Sequence, residues 1–448
     1  MTDSKTPLRD AVRTYIERDA ARFHMPGHKG IGEQEFAGLQ PYDITEVEGA
    51  DNLFHARGPL LRLEEAFADA YGAKRTLLSA GGATLCIQTM LALACGTGRK
   101  LIAGRNLHRS AINAMALLGL DPVWIYPDGS AGEWYQGRYT ASAVRAALLE
   151  HSDASAVYLT SPDYFGVMSD LPAIAEICRA FDVPLLVDNA HGAHLKFLPE
   201  RYDSPHPIDC GAAMCADSLH KTMPAMTGAA LLHIGDSRYA EDAKRLMSMF
   251  GSTSPSYPIL LSCETALQYA LSGAKAGFSH TARRLEELSA AARTKGFALP
   301  EGMHDPAKLT LGFAAAGWDG GSFGTYLRGH GIEPEYISGT ACVLMANGRN
   351  REEDYQRLAE AITAFEPKER SAPQTVLLPR PVKAAEVREA AFSTQFTVDV
   401  ENAVGKIAAG EVSPCPPGIP VVMPGERIDE ETAAALKTYG IGEVSVMA

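Results

Sequence analysis

The sequence lacks a long uncharged apolar run. No apolar stretch approaches the roughly 18 residues that a membrane-spanning helix needs, and the N-terminus is charged throughout, without the apolar core of a secretory signal. We find no internal repeat and no low-complexity tract. These absences argue against a membrane protein, and we expect a cytoplasmic one.

Closely spaced cysteine pairs and a surplus of positive charge are also missing. The eight cysteines are scattered, and none shows the spacing of a zinc knuckle, so we expect reduced thiols in the core. The 41 Lys and Arg against 54 Asp and Glu give a net charge of −13, and no basic aromatic patch is visible. Such an acidic chain is not expected to bind nucleic acid or an anionic membrane surface.

The sequence does contain a regular alternation of helical and strand patterns between residues 59 and 275. The predicted strands are 75–79, 100–103, 122–126, 156–160 and 183–187. The predicted helices between and beside them are 60–71, 85–94, 111–118, 141–150 and 171–181. Strands separated by crossover helices form a parallel sheet with helices on both faces. We therefore predict an α/β fold whose large domain has a mainly parallel sheet.

A long helical stretch at 258–296 predicts a domain boundary. Residues 1–58 are expected to hold an N-terminal helix within 1–22 and an ordered loop segment, and 59–296 the large domain. A smaller C-terminal α/β domain is predicted for 297–448. Its strand-like runs are 309–315, 341–345 and 375–378, and its helix-like runs are 355–365 and 430–438.

The residues that follow the strands are the candidates for a site, because ligands of an open α/β sheet collect at the carboxyl ends of its strands. The turn after the first strand contains Gly81, Gly82, Ala83 and Thr84. Its glycines would let backbone N–H groups approach an anion, although a plain tight turn explains them equally well. His108 and Ser161 follow the second and fourth strands, and neither is informative alone.

Asp188 directly follows the buried run at 183–187. A carboxylate at such a position is costly unless it meets a positive charge. His191 and His194 could suggest a metal, but the loop shows no third obvious ligand, so we predict no metal site.

Lys221 lies between His220 and Thr222, among apolar neighbours. Burial lowers the pKa of a lysine and supplies the neutral amine that a Schiff base needs, although a lysine with only its stem buried is the simpler interpretation. A phosphate cup, an imidazole, a strand-end carboxylate and a lysine are together what pyridoxal 5′-phosphate requires. We therefore predict this cofactor.

The sequence resembles the ornithine/lysine/arginine decarboxylase family of fold-type-I pyridoxal-phosphate enzymes. It is similar to the shorter members of that family, which have no N-terminal wing domain. The motifs that carry the resemblance are Phe23 to Gly30 with its Pro-Gly-His-Lys, Asp43 to Glu46, the His108 loop, Asp188 to His194, Ser218 to Thr222, Ser252 to Tyr257 and Pro416 to Pro420. The resemblance implies an aspartate-aminotransferase-like fold and a large domain that binds the cofactor.

The resemblance also implies roles around the cofactor ring. Lys221 would form the Schiff base, and Asp188 would pair with the pyridinium nitrogen. His108 would stack on one face of the ring and Ala190 would pack on the other. Either Lys221 or His191 would protonate the α-carbon, and the sequence leaves that choice open.

The remaining roles concern the phosphate and the partner subunit. Ser218 and His220 would contact the phosphate beside the Gly81–Thr84 cup, and we place Ser161 in the same cofactor site. Ser252 and Thr253 would reach the phosphate of the partner subunit, so a homodimer or higher oligomer with shared active sites is implied.

The implied reaction is the decarboxylation of arginine, lysine or ornithine to the amine, with a role in polyamine biosynthesis. The alternatives are another reaction on the same cofactor, such as an aminotransferase using Arg349 or Arg351, and a non-catalytic homologue, which the intact Lys221, Asp188 and His108 disfavour. Asp163 departs from the family pattern and is expected to face substrate or solvent. The candidates for holding the distal end of a basic substrate are Glu46, Asp51, Asp163, Glu335 and Glu426.

Overall fold

The computed structural model describes residues 5–17, 38–128, 137–368, 379–413 and 420–448. The predicted strand at 375–378 and the motifs around Pro26 and Pro417 lie outside these ranges. No helix among the described residues combines the length and apolar character needed to cross a membrane.

Strands of the described chain form three sheets. In chain order they are β1 (Arg75–Ser79), β2 (Lys100–Gly104), β3 (Asp121–Ile125), β4 (Val157–Thr160), β5 (Leu185–Asp188), β6 (Met214–Ser218), β7 (Ala230–Ile234), β8 (Lys308–Gly312), β9 (Tyr336–Ile337), β10 (Ala341–Met345), β11 (Gln395–Asp399) and β12 (Glu443–Met447). The largest sheet has the order β1-β7-β6-β5-β4-β2-β3, and the smaller ones have the orders β8-β10-β9 and β11-β12. In the large sheet only β7 runs antiparallel to its neighbours, as far as the pairings are described.

Helices separate most of these strands. They are α1 (Pro7–Glu17), α2 (Pro59–Tyr71), α3 (Gly82–Cys95), α4 (Arg109–Leu118), α5 (Ala141–Glu150), α6 (Leu171–Ala180), α7 (Leu219–Thr222), α8 (Ala243–Phe250), α9 (Tyr257–Ser272), α10 (Ala274–Thr294), α11 (Gly320–Gly329), α12 (Glu352–Ala364), α13 (Val387–Phe392) and α14 (Glu430–Thr438). Local signals set several ends: the side chain of Thr140 caps α5, and left-handed glycines end α2 and α4.

The predicted large-domain elements are confirmed as elements, and the structure adds the strands β6 and β7 and the helices α7 and α8. β6 and β7, which flank Lys221, were not predicted as strands. The helical stretch at 258–296 divides at Gly273 into α9 and α10.

The chain folds into two compact units, each built from two segments. The first contains residues 1–94 and 186–275, and the second contains residues 95–185 and 276–448. The predicted domain boundaries at 58 and 296 remain a prediction.

Within the first unit, β1, β6 and β7 are almost entirely buried. Successive residues of these strands are buried, as expected in a sheet that is covered on both faces. The second unit has several apolar cores. One contains stacked aromatic rings, with Phe313 and Phe323 4.5 Å apart between centroids, and another packs α14 against β12.

Candidate active site

Lys221 lies in the short helix α7, directly after the carboxyl end of β6. The entirely buried strand ends at Ser218, so Lys221 stands at the edge of the sheet with its side chain half-buried. Its Nζ lies 2.9 Å from Nε2 of His191, which is hydrogen-bond distance. An amine and an imidazole this close can exchange a proton.

His191 belongs to the loop after β5, and the same loop follows directly on Asp188. Asp188 is 2% exposed, and its Oδ1 accepts the N–H of Ala190 at 3.1 Å. A carboxylate buried at a strand end favours a positive charge opposite it. This loop therefore offers a group for proton transfer and a buried carboxylate that can face a positive charge.

The turn from β1 into α3 forms a third part of this edge. Oγ of Ser79 accepts the N–H of Gly81 at 3.1 Å and donates to the carbonyl of Gly82 at 2.9 Å, while the N–H of Gly82 donates to Gly228 at 2.8 Å. Gly82 has a φ of +67°, which glycine adopts without steric strain. The following N–H groups have no acceptor within α3, so the turn forms a cradle for an anion.

The register of the strands places these parts on one face of the sheet. Ser79 and Ser218 are both direct partners of Ala230, so their Cα atoms are about two strand spacings, roughly 10 Å, apart. Asp188 pairs with Ala216, two residues before Ser218, and therefore lies on the same face. The predicted site residues at this edge of the first unit are Gly81, Gly82, Ala83, Thr84, Asp188, Ala190, His191, Ser218, His220 and Lys221.

The predicted phosphate contacts differ in how they are held. Nδ1 of His220 donates to the carbonyl of Ala229 at 3.1 Å, which identifies Nδ1 as a protonated nitrogen. Ser252 and Thr253 are exposed in the loop after α8, where Oγ of Ser252 accepts the N–H of Ser254 at 3.1 Å. Exposure leaves both hydroxyl side chains accessible to a second molecule.

Two predicted residues, His108 and Ser161, belong to the second unit. His108 is exposed and caps α4, with Nδ1 accepting the N–H of Ser110 at 3.1 Å. Oγ of Ser161 accepts the N–H of Ser169 at 3.2 Å, and Oγ of Ser169 accepts the N–H of Tyr139 at 3.0 Å. Their roles toward the cofactor remain predictions.

Asp163 is buried, so the expectation that it could face solvent is wrong. Its Oδ1 accepts the N–H of Val167 at 2.8 Å, and Nζ of Lys308 donates to its main-chain carbonyl at 3.1 Å. Burial raises the pKa of the Asp163 carboxyl to about 7, although Lys308 acts in the opposite direction. This carboxyl holds a turn closed within the second unit.

Two other candidates for the distal end of the substrate, Asp51 and Glu426, already bind groups within this chain. Both oxygens of Asp51 accept backbone N–H groups around the start of α2. Burial opposes these bonds, but together they hold the pKa of Asp51 below its usual value. Glu426 forms a buried ion pair with Arg105. Glu46 is exposed, and Glu335 is exposed with its carboxylate accepting the hydroxyl of Tyr164 at 2.7 Å.

The sequence interpretation missed a buried polar cluster behind Lys221. Asp217 accepts hydrogen bonds from Nδ2 of Asn189 at 2.7 Å and from Nε2 of His206 at 3.0 Å, and Nε2 of His233 lies 3.4 Å away. The sequence signal that could have indicated this cluster is Asp217 itself, a charged residue directly after the apolar run Met214 to Ala216.

Comparisons with known proteins identify the family of this chain. The model of the Orn/Lys/Arg decarboxylase major domain matches residues 6–295, and the model of the C-terminal domain of the same family matches 364–439. The arginine decarboxylase of Bacillus subtilis is 31% identical over 456 residues, covering 96% of this chain and 93% of that protein. The constitutive lysine decarboxylase of Escherichia coli is 25% identical and covers 58% of this chain and 40% of that protein.

Solved structures show the same fold. The lysine decarboxylase of Francisella novicida superposes with a TM-score of 0.82 at 17% identity, over 99% of this chain and 81% of that one. An alanine–glyoxylate aminotransferase from Nostoc sp. gives a TM-score of 0.56 at 19% identity, over 68% of this chain and 85% of that one. The fold and the class of amino-acid decarboxylase predicted from the sequence are confirmed, because this chain belongs to the Orn/Lys/Arg decarboxylase family.

Proposed function

We propose that the protein is a pyridoxal-phosphate-dependent arginine decarboxylase. The observation that carries this proposal is the pairing of Lys221 Nζ with His191 Nε2 at the strand edge where Asp188 is buried. Family membership accounts for decarboxylation of a basic amino acid, whereas the cofactor and the choice of arginine are inferences.

The residues at this edge fit the cofactor. The start of α3, with Ser218 and His220, would hold the phosphate, and Asp188 would face the ring nitrogen. Lys221 would bind the aldehyde carbon. When bound, pyridoxal phosphate supplies an electron sink for the negative charge that remains on the α-carbon after carbon dioxide leaves.

The side chains of this chain provide the proton chemistry. The Asp188 carboxylate, buried at its strand end, favours a proton on the ring nitrogen that it faces. Lys221 and His191 share one hydrogen bond, so a proton can pass between Nζ and Nε2. Delivery of a proton to the α-carbon can therefore start from either member of the pair.

Arginine is favoured over lysine by the extent of the similarity. By sequence, relatives named arginine decarboxylase match 95% to 97% of this chain, whereas the lysine decarboxylases that match by sequence cover 58% of it. A planar guanidinium binds a carboxylate through two parallel hydrogen bonds. Of the five acidic candidates, Glu46 and Glu335 have the exposed side chains that could meet such a group.

The aminotransferase alternative has less support. Arg351 is exposed and donates to Asp354 at 2.9 Å, within the cap of α12. Release of carbon dioxide without a keto acid distinguishes the two reactions.

Amine analysis with arginine, lysine and ornithine tests the function directly, and Lys221→Ala tests the site. We expect the purified protein to be yellow, to lose this colour on borohydride reduction and to release the amine of arginine fastest.

Lys221→Ala is expected to lower kcat by at least about 1,000-fold, because both the covalent anchor and one proton carrier disappear. Lys275→Ala, an exposed lysine paired with Glu200, is the control and should remain active. A reducible adduct that persists in Lys221→Ala would refute the assignment.

Two further features complete the proposal. A homodimer with shared active sites is supported by the exposed Ser252 and Thr253 and by the family resemblance. A cytoplasmic location is supported by the seven described cysteines, all of which are free thiols.

A further inference from the structure

The Asp217 network consists of Asp217, Asn189, His206, His233 and Thr76, all in the first unit. The side chains of Asp217, His206 and His233 are completely buried. Asn189 is equally buried, and the hydroxyl of Thr76 lies 2.9 Å from Nδ1 of His233. No part of this network touches solvent, so it acts on the protein interior.

Hydrogen bonding identifies Asp217 as an acceptor for several donors. The N–H of Ile208 points to Nδ1 of His206 at 3.4 Å, so the proton of a neutral His206 lies on Nε2 and is donated to Asp217. Burial raises the pKa of Asp217, but His206 and His233 outweigh burial and hold it below the usual value. A histidine that donates from Nε2 is not available to bind a metal through that atom.

The network lies on the opposite face of the sheet from the candidate site. Asp217 precedes Ser218 on β6, and neighbouring residues of a strand point to opposite faces. Thr76 pairs directly with His233, and His233 pairs directly with Cys215, which lies two residues before Asp217 on β6. Thr76 and His233 therefore lie on the same face of the sheet as Asp217. The network therefore supports the strand end from behind.

Asn189 connects this network to the site. Its Nδ2 donates to Asp217, and its N–H donates to the carbonyl of Ala216 at 3.0 Å. Asp188 precedes Asn189 and His191 follows it by two residues, so one amide side chain fixes the segment that carries both. Asp217 also lies four residues before Lys221, so the same carboxylate joins the two segments whose side chains meet.

We propose that Asp217, acting through Asn189, is a positioning residue that holds the 188–191 segment so that His191 faces Lys221. The effect on catalysis rests on the proposed function, whereas the effect on Lys221 does not. A segment released from Asp217 separates His191 from the amine, leaving Lys221 more accessible and less able to exchange its proton.

The test compares Asn189→Ala with Thr76→Val in the full-length protein. Asn189→Ala removes the link to the site, and Thr76→Val removes a hydroxyl at the far end of the network with little change in volume. The first readout is the rate at which trinitrobenzenesulfonate labels Lys221 in cofactor-free protein, measured by peptide mass spectrometry against Lys275. The second is the separate change in kcat and KM of the holoenzyme.

We expect Asn189→Ala to label Lys221 at least five-fold faster and to lower kcat at least ten-fold, with KM changed less than three-fold. Thr76→Val should lower the melting temperature but keep labelling and kcat within two-fold of the wild type. Equal effects of both variants, or labelling within two-fold in Asn189→Ala, would overturn the proposal. If Asn189→Ala does not fold, Asn189→Ser is measured by the same criteria. Faster labelling without any decarboxylation in the wild type would refute the proposed function and leave the positioning role intact.

Discussion

Two buried aspartates of this protein show how local donors decide the protonation of a carboxyl group. Asp217 receives hydrogen bonds from an amide and an imidazole, and its pKa lies below the usual value despite burial. Asp163 is equally inaccessible, but its side chain accepts the N–H of Val167 and its Oδ2 has no hydrogen-bond partner among the described residues. Burial therefore dominates and raises its pKa to about 7.

Replacing Asp163 by Asn should make the protein less sensitive to alkaline pH. Because folding raises the pKa of Asp163 from 3.8 to about 7, its contribution to stability is complete below the unfolded value and is lost as the pH rises through 7. Asn keeps an acceptor for Val167 and carries no charge. Between about pH 6 and about pH 8.5, urea unfolding should show the wild type losing about 1.4 kcal/mol relative to Asp163→Asn, because only about one pH unit of the linked loss lies above pH 6.

Asp242→Asn is the matched control for this measurement, since Asp242 is a surface residue with 61% of its side chain exposed. Its difference from the wild type should not change with pH. A constant difference between Asp163→Asn and the wild type at both pH values would show that Asp163 stays ionised in the folded protein.

At this scale the sequence predicted residues with reactive side chains and missed those that position them. Lys221, Asp188 and His191 stand out because their types match the chemistry of one cofactor. Asn189 is an unremarkable amide until its distance to Asp217 is known. That distance depends on the pairing of β5 with β6, which no local pattern encodes.

At the scale of elements, a buried ion pair anchors the loop between β2 and α4. Arg105 follows β2 and is inaccessible, and its guanidinium donates to both oxygens of Glu426 at 2.5 and 2.8 Å. It also donates to the carbonyls of Pro420 and Val421 at 3.1 and 3.2 Å. The loop that leads to His108 is thus held by a segment more than 300 residues later in the chain.

Breaking this pair should be far more damaging than breaking a surface pair. Arg105→Met or Glu426→Leu alone leaves a buried charge unpaired, which costs about 3 to 5 kcal/mol of the free energy of unfolding. The double variant should cost at least about 2 kcal/mol less than the sum of the single ones. Urea midpoints of the four proteins measure this coupling.

The comparison pair is Lys100 with Asp153, at the opposite end of β2, where the aspartate is 69% exposed. Lys100→Met and Asp153→Leu should show a much smaller coupling than the Arg105 and Glu426 pair, because solvent screens an exposed ion pair. Additive costs for Arg105 and Glu426 would contradict the anchoring role of their pair.

The elements that the sequence predicted best are those with strong periodicity and clear end signals. Helix α5, capped by Thr140, and strand β1 agree with their predicted bounds. β6 and β7 were missed because β6 runs directly into α7, and the helix around Lys221 obscures the end of the strand. The partner of Glu426 was missed because only the fold brings residue 105 to residue 426.

At the scale of the whole molecule, the order of the reactive segments along the chain predicted the fold and the family, because the five segments around Gly81, His108, Ser161, Asp188 and Lys221 each follow a strand of the large sheet. The substrate was not predictable in this way. Selection among arginine, lysine and ornithine depends on a carboxylate at a given distance from the reacting carbon, and no local sequence pattern gives that distance for the five acidic candidates. Three of them, Asp51, Asp163 and Glu426, prove to hold the fold together.

The proposed sharing of active sites between subunits leads to a complementation experiment. Lys221→Ala lacks the amine, and Thr253→Glu places a negative charge where the partner's phosphate is expected, so each variant alone should be nearly inactive. In a mixed dimer, one site combines Lys221 from one subunit with Thr253 from the other, and both are intact. Random pairing of the two variants yields half mixed dimers, each with one intact site, so about a quarter of the wild-type activity should return.

Co-expression with two different affinity tags isolates the mixed dimers, whose activity should approach half that of the wild type because one of their two sites is intact. Met249→Glu, at a residue that is 70% exposed, is the control for the added charge, and on its own it should leave both sites of its dimer active. If Thr253 instead served the site of its own subunit, every site in the mixed dimer would carry one defect. No activity would then return, because Lys221 and Thr253 would be intact only in different sites.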